Sequence, residues 1–361
     1  MLSSRLPWSN FFRLYSTAPT SPQHSIYISN STNPYFNLSF EDWLFRHKEP
    51  KTPLLLLYRD DPCVIIGRNQ NPWKEVNLSI LHSRKDIPFI RRRSGGGTVY
   101  HDLGNTNFSI HLPRSSFDRH KTAQVILRAV RSLEVDAIVN ERNDICVGSE
   151  KVSGSAYKIV NKRAYHHGTM LISTELNTLG DLLHTTKDAM QTRGVASVRS
   201  PVRNLQHFNP SVTHESFVDA VVQAFREEYQ CEDDVQSVNE EEYQDLEYIQ
   251  TGMSELPSWE WGYGQTPEFT YPINETFAWG TASAKIQSKH GIIIDFSLSI
   301  NSEAAPPATD AGISDENLKS VEKLLQGRRY GSVSAVEIRD ALGPNGPVDD
   351  IASWLEKSMN S

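Results

Sequence analysis

Cysteine is scarce in this chain: Cys63, Cys146 and Cys231 are the three among 361 residues, too few and too far apart for a disulfide framework or a CxxC metal pair. That usage fits a compartment of reduced thiols. No HExxH or similar zinc spacing occurs, and no internal repeat is present. Hydrophobic residues make up 38% of the chain and mean hydropathy is −0.47. This supports a sizeable core, but no apolar run reaches membrane length, which excludes a transmembrane helix. Net positive charge is missing too. A formal charge of −8 and a pI near 5.9 give no overall attraction to nucleic acid, although local basic clusters can still hold phosphates.

Acidic residues are absent from residues 1–40. There Arg5 and Arg13 sit among Leu2, Leu6, Trp8, Phe11, Phe12 and Leu14 with interspersed serines. Basic, Ser-rich and acid-free composition is that of an organellar transit peptide, and Arg13-Leu14-Tyr15-Ser16 resembles a mitochondrial processing site. Residues 1–20 are therefore expected to direct import to the mitochondrial matrix, set against the plainer reading of a disordered terminus.

The length predicts two domains, or one large domain with an appendage. Asn33-Pro34 predicts a helix start with Asn as the cap and Pro in the first turn. Leu54 to Tyr58 and Val64 to Ile66 are short apolar runs bounded by Pro and Gly, the pattern of interior strands. Further strands are expected at Ser25 to Ser29, Phe89 to Arg91, Thr98 to His101, Asn107 to His111, Ile145 to Val147, Ala156 to Val160 and Tyr165 to Ser173. Helices are expected over Thr122 to Leu133 and Glu215 to Tyr229, the latter with Phe217, Val221, Phe225 and Tyr229 at four-residue steps. The class is α/β with a mixed sheet, in a domain over 25–262. Ten acidic residues and no Lys or Arg between Glu227 and Glu247 read as a solvated helix end and loop. Residues 265–361, with strands at Ala282 to Ser288 and Ile292 to Ile300, a turn at Pro306-Pro307 and three amphipathic helices, read as a small α+β domain.

Chemistry concentrates between Arg91 and Thr169. Arg91-Arg92-Arg93-Ser94-Gly95-Gly96-Gly97-Thr98-Val99-Tyr100 sets three cations beside three glycines, between two strands. Without Cβ atoms the backbone can approach a ligand, and arginines offer planar donors to phosphate. A flexible hairpin turn is the competing reading. The block lacks the Gly-Lys-Ser/Thr of a P-loop and the glycine spacing of a dinucleotide site. Asp144 could hold a metal ion or orient a ligand amine, and Lys151 could set an ammonium beside an anion; both could equally be surface turn residues. His166 and His167 are neighbours in a strand, so they point to opposite faces and cannot readily share one metal.

Together with Ile66-Gly67-Arg68-Asn69-Gln70-Asn71-Pro72-Trp73, Gly104-Asn105, Arg142-Asn143-Asp144, Lys151 to Lys158, His166 to Thr169 and Ser197-Val198-Arg199-Ser200, this block resembles the lipoate–protein ligase A and mitochondrial lipoyltransferase family of the biotin/lipoate ligase superfamily. The resemblance runs from about Ile26 to Trp261. It implies a ligase-like catalytic domain around a central mixed sheet, with a small C-terminal accessory domain. It also implies ATP and Mg²⁺, with lipoate as substrate: the lipoate carboxylate attacks the α-phosphate of ATP, and a lysine of a lipoyl domain then takes the acyl group from lipoyl-AMP.

By the same resemblance, Arg92, Gly97, Thr98, Val99, Tyr100 and Lys151 would contact the nucleotide. Asp144 would serve Mg²⁺ or the adenine side. Ser94, Gly95, Gly96 and His167 would line the acyl end, with Lys151 also reaching the lipoyl carbonyl. Lys158 stands where relatives often carry Arg, a change that keeps charge and loses the planar fork. The implied acceptors are the lipoyl domains of 2-oxoacid dehydrogenase E2 subunits and the glycine-cleavage H protein, served by a monomer with no nucleic-acid or membrane partner. Two alternatives stand beside this reading. One is transfer of lipoyl or octanoyl from a pre-activated or protein-bound donor without ATP, in one version through a Cys146 thioester. The other is a non-catalytic lipoyl-domain binder.

Overall fold

The computed structural model describes residues 25–301, 313–343 and 347–360. The expected transit segment 1–20 and the Pro306-Pro307 turn lie outside the described residues. The helix Pro34–His47 starts as its sequence predicts: the Asn33 side chain accepts from the N–H groups of Tyr35 and Phe36, and Pro34 opens the first turn.

The central sheet has six strands in the order Ser153–Val160, Arg163–Leu171, Asn105–Pro113, Leu54–Tyr58, Ile26–Ser29, Val235–Val238. Ile26–Ser29 runs parallel to both neighbours and the other pairs are antiparallel, so the sheet is mixed. Helices cover both of its faces, which explains the unbroken apolar run Leu54–Tyr58. Leu55 and Leu57 join a core with Ile126, Phe217 and Phe225, while Leu54, Leu56 and Tyr58 face Phe36, Phe40 and Leu44 on the other side.

A smaller sheet places Cys63–Ile66 between Phe89–Arg91, which is parallel to it, and Val99–His101, which is antiparallel. Because the outer strands flank the central one, residues 92–98 must cross its end, where Gly67 begins. The crossing is tight. A Cβ on Gly67 would lie 2.1 Å from the Gly96 carbonyl oxygen, and Gly96 itself has φ +89°, a conformation that favours glycine.

The C-terminal accessory domain is built on the antiparallel sheet Gln191–Thr192, Phe269–Phe277, Gly280–Lys289, Ile292–Asn301 and the helices Asp315–Leu325, Ala335–Leu342 and Val348–Asn360. Its apolar side continues into Val64, Ile66, Trp73 and Leu78. Besides the two-residue strands Ile138–Val139, Glu150–Lys151 and Gln191–Thr192, two longer strands differ from expectation. Pro272 and the run Asn274-Glu275-Thr276 hide the alternation of Phe269–Phe277. In the acidic stretch, Val235–Val238 pairs with Ile26–Ser29 as an edge strand, so its acidic neighbours remain solvated while four residues extend the sheet.

Arg91 ties these layers together. Its side chain is fully buried. Nε donates to the carbonyls of Trp261 and Gly262 at 3.2 and 2.9 Å, Nη1 to those of Gly67, Arg68 and Gln70 at 3.4, 3.1 and 2.8 Å, and Nη2 to Thr266 Oγ1 at 3.1 Å. Burial, with repulsion from Arg68, pulls its pKa down to about 9. Replacing Arg91 with Met would orphan several of these acceptors, and the expected loss in unfolding free energy, read by urea denaturation, is about 3 kcal/mol or more. A loss below about 1 kcal/mol would mean that the carbonyls find other donors.

Candidate active site

The glycine block is shaped from within by Arg92. Its Nε donates to Ser94 Oγ at 2.9 Å and its Nη2 to the carbonyls of Gly95 and Gly97 at 2.6 and 2.8 Å, while Nη1 reaches the Ile65 carbonyl at 3.3 Å. Arg93 stacks on Trp261, 4.6 Å from the ring centre, and donates to Glu255 at 2.5 Å. The cation triplet that suggested a phosphate site is thus largely spent on the protein's own acceptors. Arg92 still lines the cavity, but as the brace of the loop.

Ser94 Oγ also lies 2.8 Å from His167 Nε2, and His167 Nδ1 lies 3.0 Å from Glu41 Oε1. Arg92 Nε–H can only donate, so the serine oxygen accepts there. An ionised Glu41 can only accept, so the His167 ring presents Nδ1–H to it. Burial opposes ionisation of Glu41, yet His167, Ser109 and Lys158 hold its pKa below the ordinary carboxylate value. A hydrogen-bonded chain therefore runs from the helix Pro34–His47 to the glycine loop. Next to it Asp42, also buried, accepts from Arg46 at 2.8 Å, from Lys158 at 2.5 Å and from Tyr248. Despite its burial, these donors and the Lys158 charge hold its pKa at about 2.

Lys151 lies on the short strand Glu150–Lys151, opposite Cys146 in a small antiparallel sheet. Its Nζ sits 2.9 Å from Asp144 Oδ1, and Arg142 Nε is 3.9 Å from Oδ2. The carboxylate offered above as a Mg²⁺ ligand is here the counter-ion of Lys151. Cys146 is buried, and burial together with Asp144 pushes its thiol pKa up despite the nearby Lys151, which keeps it a poor nucleophile.

Two adjoining cavities flank this lysine. One, of about 310 Å³, takes in Leu38, Tyr58, Ile65, Gly96, Gly97 and His167. The other, of about 500 Å³, takes in Tyr100, Leu179, Leu183, His184 and Arg199. Thr98, Val99, Lys151, Gly154 and Ser197 line both. Most of the residues singled out in the sequence therefore converge here. Ser94, Gly95 and Asp144 stand behind the wall. Ser94 was expected at the acyl end, but it is 1% exposed and turned toward His167 and Arg92. Sequence reasoning missed Glu41 and Asp42, and gave Gln70 no role beyond its place in a matching stretch. The signal for the first two was a pair of acids inside the apolar side of a helix.

The family model of the lipoyl protein ligase A/B catalytic domain matches residues 33–226. A lipoate-protein ligase A of Psychrobacter cryohalolentis is 38% identical over 280 residues, covering 75% of this chain and 82% of the relative. A lipoate-protein ligase A of Bdellovibrio bacteriovorus is 36% identical over 277 residues, covering 76% and 81%. Among solved structures, P. falciparum LipL1 in complex with lipoate gives a TM-score of 0.60 at 26% identity, covering 92% of this chain and 99% of that one.

The strand that carries His167 also buries His166, whose Nδ1 and Nε2 meet Thr122 Oγ1 at 2.9 Å and Ser155 Oγ at 3.0 Å. Burial, with repulsion from His167 and Arg119, pulls its pKa down to about 3. Burial likewise drives His111 well below its ordinary value. In the unfolded chain these imidazoles titrate at about 6.5, so acid favours protonation of the unfolded state. Their stabilising share is complete above that value and is lost as pH falls through it toward the folded values. Stability is expected to drop between about pH 6.5 and pH 5 by up to ~1.4 kcal/mol per pH unit for each histidine. His166→Gln should flatten the slope of unfolding free energy against pH; a slope equal to wild type would remove His166 from the account.

Proposed function

The chain belongs to the lipoate–protein ligase family, and on that premise we propose that it couples lipoate to ATP and passes the lipoyl group to the acceptor lysine of a lipoyl domain. The observation that carries this reading is Lys151, an ammonium fixed by Asp144 on a wall common to two cavities. Adenylation brings two anions together. A preorganised cation between them is worth most as charge develops in the transition state, and it costs no reorganisation at that moment. The cavity with Leu38, Tyr58 and Ile65 suits an aliphatic acyl chain, and the larger one suits a nucleotide.

The lipoate carboxylate oxygen attacks the α-phosphorus, pyrophosphate leaves with the bond it held, and the acyl-adenylate forms. The acceptor's ε-amine then attacks the acyl carbonyl, AMP departs and a proton is lost from nitrogen. Lys151 stabilises charge in both steps and forms no bond. Asp144 keeps its ammonium aimed, while Arg92, Ser94, His167 and Glu41 hold the glycine loop in shape around the acyl group. A resident Mg²⁺ does not fit the donors present, because both oxygens of Asp144 face cations and a lone carboxylate so neutralised is a weak cradle for a hard dication. The metal in this reading travels with the nucleotide phosphates. The proposed acceptors are E2 lipoyl domains and the glycine-cleavage H protein. The acid-free, Arg- and Ser-containing composition of residues 1–20 supports a mitochondrial matrix location.

Incubation with lipoate, radiolabelled ATP and Mg²⁺, without acceptor, is expected to leave labelled lipoyl-AMP on the protein. Lys151→Ala should slow its formation by roughly 10²–10³ with melting unchanged. Transfer from supplied lipoyl-AMP without any labelled intermediate would instead identify an ATP-independent transferase. Fused to a reporter, residues 1–20 are expected to carry it into isolated mitochondria; a reporter left outside would refute the location.

A further inference from the structure

Residues 194–202 cross over the junction of the two cavities, contributing Ala196, Ser197 and Val198 to both linings. This crossing has no helix or strand of its own, and Val195 and Val198 are 49% and 60% exposed. Something else must hold it. At its far end Lys151 does so through the main chain, donating its N–H to the Pro201 carbonyl at 2.9 Å and accepting from Arg203 N–H at 3.0 Å. At its near end stands the fully buried side chain of Gln70.

We propose that Gln70 is a positioning residue that latches this crossing onto the glycine loop, and that the latch keeps water from the acyl-adenylate. The second half rests on the ligase reading. Gln70 Oε1 accepts from Gly67 N–H at 2.9 Å and from Thr98 Oγ1 at 3.0 Å, and Nε2 donates to Ser197 Oγ at 3.0 Å and to the Val195 carbonyl at 3.4 Å. Gly67 N–H can only donate and the Val195 carbonyl can only accept, so the main chain itself fixes which way the amide points. Every hydrogen-bonding position of the amide is used. Ser197 Oγ also accepts from Thr98 N–H at 3.0 Å, and Ser197 N–H donates to Glu75 at 3.1 Å.

Gln70 lines neither cavity, so it acts through Thr98 and Ser197 and not on the substrate. Those two residues belong to the wall where the scissile anhydride would lie. With the crossing loosened, water can attack the acyl carbonyl carbon. The carbon–oxygen bond to the phosphate then breaks, lipoate and AMP are formed, and two protons pass to solvent.

Gln70→Glu preserves shape and the Oε1 acceptor but removes both N–H donors, setting carboxylate oxygen against the Val195 carbonyl. Two measurements on this variant test the proposal. The first is trypsin cleavage at the exposed Arg193 and Arg199 in ligand-free protein. The second is the hydrolysis rate of lipoyl-AMP loaded without acceptor. Both are expected to rise roughly tenfold or more, as local opening does when its closing contacts are lost, at a temperature where the variant remains folded. Wild-type values in either measurement overturn the proposal. Should Gln70→Glu fail to fold, Ser197→Ala removes only the crossing's side of the latch and should raise both rates in the same direction. Failure of the ligase reading is distinguishable, since wild-type protein would then retain no lipoyl-AMP while the cleavage comparison still decides the latch.

Discussion

A loop made of consecutive glycines has no side chains with which to anchor itself, so its shape depends on what binds its carbonyls. Here buried guanidinium groups do that. Arg92 holds the carbonyls of Gly95 and Gly97, and Arg91, one residue earlier and on the opposite side of the strand, holds those of Gly67, Arg68 and Gln70. A carbonyl is a partial charge, and several are needed to replace the hydration that a buried guanidinium gives up. The planar fork of arginine can reach that many at once, which lysine's single ammonium cannot. The cradle of the site and the turn beneath it are therefore fixed by the same kind of bond.

Against that background Lys151 is distinct. Its side chain remains 18% exposed and has one carboxylate partner at 2.9 Å, so its charge is oriented without being consumed. Lys158 shows the contrast. It is 9% exposed, lies 5.0 Å from the Phe45 ring centre and sits against Asp42 at 2.5 Å. The other oxygen of Asp42 is already taken by Arg46 and Tyr248, which leaves a single acceptor for the residue at 158. A point charge fills that place as well as a fork would. Lys158 is thus matched to the one acceptor its surroundings leave it.

Much of this was legible beforehand because it depends on short-range rules. Asn33-Pro34 opened a helix, the bounded apolar runs became buried strands, and His166 and His167 do face opposite ways. Most of the candidate site residues line the two cavities beside Lys151. What escaped were long-range partnerships. Nothing near Glu41 in the chain reveals that it will sit beside His167, 126 positions away, and nothing near Gln70 reveals Ser197. The partners of the three arginines escaped because a cation's partner is set by what the fold brings to it, and a run of cations beside glycines has the same appearance whether the acceptors are phosphate oxygens or carbonyls. Val235–Val238 escaped because an edge strand of four residues among acids has too little alternation to register.

The strand Leu54–Tyr58 carries a temporal implication. Its two faces are covered by groups from widely separated parts of the chain: Phe36 and Phe40 lie close by, but Phe217 and Phe225 come some 160 positions later. Its sheet neighbour Asn105–Pro113 also follows well behind. During synthesis one face can therefore be sheltered early while the other waits for most of the catalytic domain to emerge. Loop closure over such a span is slow compared with local helix formation, and an uncovered row of leucines is sticky in the meantime.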